Sequence, residues 1–196
     1  MKLGRYSFGT GDRFAHQGNA QLKAIIKARD EGVNITPVWN KSHREHTIIH
    51  SSQEETRNEA DQAVRQSGWD GKYFVDADHI NMNNVDEFLD YSDFFTIDVA
   101  EQIGNPADDE QIEEFVENNR HFVGSLKIEG IGETFDITES LIRQMGSMFL
   151  NATTEVEKVY RRIAGAKNPE ETVIEVSMDE VEQPQTPVEL FFILKM

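Results

Sequence analysis

Cysteine is absent from the 196 residues. That excludes disulfides, thiolate metal sites and a cysteine nucleophile together. Positive charge is scarce: 19 Lys and Arg stand against 36 Asp and Glu, a formal net charge of -17. Such a balance repels polyanions, so nucleic acid and anionic membrane surfaces are not expected partners. No apolar run approaches the roughly 18 residues of a membrane span. The opening residues lack the charged and apolar regions of a secretion signal, and the expected setting is the cytoplasm. What is present is enough for a core. Hydrophobic residues make up 38%, with 12 Phe and 2 Trp, and the length fits one domain of about 100–200 residues.

Short apolar runs alternate with amphipathic ones. Leu3 to Gly9 is aromatic, ends in turn residues and reads as a strand. Gly18 to Asp30 places Leu22, Ile25 and Ile26 on one helical face. Ile35 to Trp39 is a second strand, and its Pro37 argues for a strand end or an edge. Ser52 to Ser67 is a polar helix opened by the Ser52/Glu55 capping box and stopped by Gly68. Tyr73 to Asp78 is a third strand, Val85 to Tyr91 a short helix, and Phe94 to Val99 a fourth strand. Helices between successive strands imply a parallel sheet with right-handed crossovers.

The order then loosens. Residues 101–170 read as an acidic, helical insertion between strands four and five of a single α/β domain. It contains an acidic helix over Asn105 to Asn119, a Gly-punctuated hairpin or loop over Gly124 to Phe135, and a long helix over Asp136 to Ala164. Thr138 or Asp136 caps that last helix, and its stripe of Leu141, Ile142, Met145, Met148 and Phe149 reads as core. Val173 to Met178 is the fifth strand. Thr186, Pro187 and Glu189 then start a final helix ending LFFILKM. Eight βα units take about 250 residues. The expected fold is therefore an incomplete (β/α)8, TIM-type barrel. Its open sheet edge, with Phe191, Phe192, Ile193 and Leu194 exposed, would promote self-association.

In parallel βα proteins the chemistry collects where strands end. After strand one, Gly9 and Gly11 let the backbone approach a ligand, and Arg13 can grip a carboxylate or phosphate. No GK[ST] follows, so this is not a P-loop. After strand two come His43, His46 and His50. They look like a metal tract, but without nearby carboxylate ligands they read better as polar loop residues, with His43 contacting a substrate anion. Strand three ends in Asp76, Asp78 and His79. By the period of two, Asp76 and Asp78 share a face, and His79 turns to the other unless the strand has ended. An Asp beside a His here can supply a general base and a ligand for Zn²⁺, Mn²⁺ or Ni²⁺. Strand five contributes Glu175 and then Asp179 and Glu180, further carboxylates for acid chemistry or metal ligation.

The opening LGRYSFGTGDRFAHQGNAQLKAI, with YFVDADHIN and VIEVSMDE, resembles the tagaturonate/fructuronate epimerase family, metal-dependent sugar-acid epimerases with a (β/α)8-type barrel. The resemblance implies a base at Asp78 and a divalent metal on His79. It implies a proton donor near VIEVSMDE, at Glu180 or Asp179 with Glu175 as the alternative, and further His ligands on later strands. The implied substrates are keto sugar acids that differ at C4. That carbon is β to the ketone, so removing its hydrogen gives no stabilised enolate. Retro-aldol cleavage of C3–C4, rotation of the aldehyde and re-closure inverts it instead, with the metal stabilising the enediolate. Two other readings remain: a sugar or sugar-phosphate isomerase of the enediol type, and a non-catalytic α/β binding protein.

Overall fold

The computed structural model describes residues 3–14, 16–178 and 184–196. In chain order the regular elements are β1 (Ser7–Gly11), α1 (Gly18–Asp30), β2 (Thr36–Ser42), α2 (His43–Ile49), α3 (Gln53–Ser67), β3 (Phe74–Ile80), α4 (Val85–Phe88) and β4 (Phe94–Asp98). They are followed by α5 (Asp109–Asn119), β5 (Gly124–Lys127), β6 (Thr134–Ile137), α6 (Glu139–Ala166), β7 (Val173–Ser177) and α7 (Pro187–Ile193). The chain forms two compact units, Met1–Asp98 with Lys158–Ser177, and Val99–Glu157 with Met178–Met196.

The first unit carries one five-stranded sheet in the order β1-β2-β3-β4-β7. Every neighbouring pair is parallel, as the alternating apolar runs require. One sheet face is covered by helices: Leu22 and Ile25 of α1 and Ala60 and Ala63 of α3 pack on Trp39 and Val75. On the opposite face the lower layer is apolar, with Val38, Phe74 and Phe94 buried against Leu3 and Val173. Above that layer the face turns polar. No helix of the described residues is long and apolar enough to cross a membrane.

Three local expectations are corrected. The first strand begins at Ser7, not Leu3, and runs through Gly11, so the glycines belong to the strand and not to a turn. Pro37 is not at an edge, because β2 lies between β1 and β3. The Thr36 amide donates to Tyr6 on the β1 side, so the proline nitrogen faces β3. Pairing with β3 starts only at Val38, and no ladder bond is lost there. His43 and His46 are helical rather than in a loop. Ser42 accepts from the Glu45 amide while Glu45 reaches back to the Ser42 amide, a second capping box.

The second unit packs α5, the antiparallel β5–β6 hairpin, the first part of α6 and α7 around one core. Thr138 caps α6 through the Leu141 amide at 3.1 Å. Thr186 and Glu189 form the capping box read from the sequence at α7. The last helix is not an exposed apolar tail. Phe192 is 0% exposed and meets Phe115, Phe122 and Phe191 edge-on at 6.2, 6.2 and 5.2 Å. Phe191 and Ile193 pack beside it. Of the four side chains expected at the surface, Leu194 alone is strongly exposed, at 77%.

Candidate active site

Alternation along the parallel strands sends Asn40 and Ser42, Asp76 and Asp78, Thr96 and Asp98, and Glu175 and Ser177 to the polar face, above the apolar layer. The register between β3 and β4 then breaks. Ala77 pairs with Phe95 and Ile80 with Ile97, so Asp78 and His79 together stand opposite Thr96 alone. This is a β-bulge. His79 takes up the extra residue with a φ of 52°, in the left-handed region that side chains with a Cβ seldom enter. The bulge defeats the simple period. His79 does not turn to the helix-covered face; its ring Nδ1 is 3.0 Å from Asp98 Oδ2 and its Nε2 is 3.8 Å from Asp78 Oδ1. Ile80 then resumes the helix-covered face and is fully buried.

One layer below lies Asp76, 6% exposed. The Thr96 hydroxyl faces both of its carboxyl oxygens, at 3.2 and 3.0 Å. Burial pushes the Asp76 carboxyl up to about 8, and the nearby Asp78 and Glu175 charges add to the rise while Thr96 opposes it. The group is therefore largely protonated at neutral pH. Its chain position was visible in the sequence; its protonation follows from the depth of its layer, which alternation alone does not give. Glu175 is exposed, opposite Thr96 on β7. Asp179 and Glu180 lie outside the described residues.

Arg13 and His43 are engaged elsewhere. Arg13 Nε is 3.4 Å from Glu45 Oε1, and His43 Nε2 is 3.5 Å from Glu87 Oε1. Arg13 lines a groove of about 880 Å³ with His16, His50, Ser51 and Glu55, between the β1–α1 loop and the α2–α3 pair. Among the described residues no three His, Asp or Glu side chains are grouped to hold a metal ion.

His46, part of the histidine tract, is structural. It is 4% exposed and packs against Phe88. Lys41 Nζ donates to Ser51 Oγ at 3.0 Å, and the Ser51 oxygen lies 3.0 Å from His46 Nδ1. Lysine only donates, so Ser51 accepts from Lys41 and its hydroxyl bridges the ammonium to the imidazole. Burial, with the Lys41 charge next, lowers the His46 imidazole to about 4. Between that value and the ordinary 6.5 the unfolded chain binds a proton that the folded chain refuses. Stability is thus full above about pH 6.5 and falls as the pH drops towards 4, by roughly 3 kcal/mol in total. Urea unfolding at pH 7 and pH 4.5 should show this loss in the wild type. His46→Gln should remove most of it; an equal acid loss in the variant would assign the sensitivity to other groups.

The model of the tagaturonate epimerase family matches residues 1–196. No curated protein matches the chain. Three crystal structures of fructuronate-tagaturonate epimerase UxaE from Cohnella laeviribosi share the fold. The complex with one glycerol has a TM-score of 0.79 at 19% identity, over 100% of this chain and 41% of that one. The complex with two glycerols has a TM-score of 0.79 at 20% identity, over 100% and 42%. The native structure has a TM-score of 0.78 at 20% identity, over 100% and 41%. The chain thus spans well under half the length of these relatives.

Proposed function

Because the chain belongs to the tagaturonate epimerase family, we propose that it carries part of the active site of a metal-dependent isomerase that interconverts tagaturonate and fructuronate at C4. The bulge at Asp78 and His79 supports this reading most directly. It brings a carboxylate and an imidazole to the same polar rim, where alternation alone would have parted them.

The residues fit a divalent cation. His79 supplies an imidazole nitrogen, a donor that Zn²⁺, Mn²⁺ and Ni²⁺ accept. His79 would be one ligand, and the rest of the set would come from the part of the relatives' length that this chain does not span. When bound, the cation would supply Lewis-acid stabilisation of negative charge developing on the substrate.

The chain's own residues take the following parts. Asp78 removes the proton of the C4 hydroxyl. The C3–C4 bond breaks as its electron pair passes to the ketone side, leaving an enediolate and an aldehyde. After the aldehyde turns, the pair re-forms the bond on the opposite face, and the new C4 oxygen takes back one proton. We assign that return to a second carboxyl on β7 or just after it: Glu180 or Asp179, with Glu175 as the alternative. Asp76, held neutral below Asp78, keeps a second buried negative charge from accumulating there. We assign Arg13 and His43 to the substrate's carboxylate, Arg13 by exchanging its Glu45 partner for substrate. We place this activity in the cytoplasm, on a small keto sugar acid. The test is incubation of a full-length family protein carrying this chain with tagaturonate and Mn²⁺. Fructuronate should form, EDTA should stop its formation, and re-added Mn²⁺ should restore it. No fructuronate under any metal would remove the reading; EDTA-resistant turnover would remove the metal from it.

A further inference from the structure

We infer that Asp98 is a positioning residue: it fixes the His79 ring so that Nε2, and not Nδ1, is presented at the polar rim. This rests on the assignment of His79 as a metal ligand. Asp98 closes β4 and His79 sits in the bulge of the neighbouring strand. Their contact is 3.0 Å, from Nδ1 to Oδ2. A carboxylate oxygen accepts, so the hydrogen of that bond belongs to Nδ1, and in the neutral ring Nε2 then carries the lone pair that a cation needs.

Two features make this more than an incidental ion pair. His79 has a left-handed φ of 52°, a conformation that persists in a non-glycine residue only when its surroundings hold it. The contact is also partly shielded: the two side chains are 35% and 25% exposed, whereas the exposed pair Arg29–Asp70 reaches 36% and 86%. A ring held at one nitrogen by a carboxylate, with the other nitrogen turned to a site, is the usual arrangement around ligating histidines. Removing the outer carboxylate there typically weakens metal binding about 10–100-fold.

The experiment is competition for Mn²⁺ against a fluorescent chelator, on the whole protein in the wild type, His79→Ala and Asp98→Asn, with thermal unfolding of the metal-free forms alongside. Asp98→Asn should weaken Mn²⁺ binding about 10–100-fold with little change in metal-free unfolding, and His79→Ala should lose the site. Should Asp98→Asn not fold, Asp98→Ser carries the same expectation. If His79→Ala loses Mn²⁺ while Asp98→Asn binds as the wild type does, the positioning role is wrong and the metal assignment stands. If Asp98→Asn loses Mn²⁺ as completely as His79→Ala, Asp98 is itself a ligand and the positioning role is again wrong. If His79→Ala keeps wild-type affinity, the ligand assignment falls and takes this inference with it.

Discussion

Asp78→Asn should lower epimerase turnover by about 10²–10⁴-fold, the usual contribution of a positioned general base, while leaving metal content unchanged. The substitution keeps the shape of the side chain and removes its ability to accept the C4 hydroxyl proton. His79 Nε2 is 3.8 Å from Asp78 Oδ1, longer than a hydrogen bond, and the 3.0 Å contact to Asp98 is the shorter one. Turnover and bound metal therefore separate at this position. They should move together at His79. Near-normal turnover in Asp78→Asn would assign the base elsewhere, with Glu175 on the same face the next group to test.

Phe192→Ala should destabilise the second unit by about 3–5 kcal/mol, the range for deleting a buried phenylalanine. The ring is fully buried and joins α7 to Phe115 of α5 and to Phe122. Its loss leaves a cavity beside Phe115, Phe122 and Phe191. Leu194→Ala, two residues on and 77% exposed, should change stability by less than about 0.5 kcal/mol. Denaturant unfolding of the two variants checks the contrast. Similar midpoints for both would mean that α7 is not docked through Phe192.

The parallel sheet was legible because its strands are short apolar runs separated by amphipathic helices, and that pattern has few topological solutions. Both capping boxes read from the sequence, at Ser52 and Thr186, are present, since a cap is settled within four residues. The box at Ser42 has the same spacing and was equally readable; the histidines inside it drew the segment towards a loop. The bulge at Asp78 and His79 was not readable. It depends on how β3 meets β4, and no glycine or proline marks it. The same holds for the Asp98 partner, 19 residues away, and for the protonation of Asp76, which reflects burial under a layer built by four strands. The burial of Phe192 likewise needed its partner helix: an apolar tail and a docked helix have the same composition.

The most direct measurement is proton NMR of the product formed from tagaturonate in D₂O by a full-length, metal-supplied family protein carrying this chain. The expected result is fructuronate that keeps protium at C4, because the carbon–hydrogen bond there is never broken when the proton leaves from the hydroxyl and C3–C4 is the bond that opens. Deuterium at C4, or the absence of fructuronate, would contradict it.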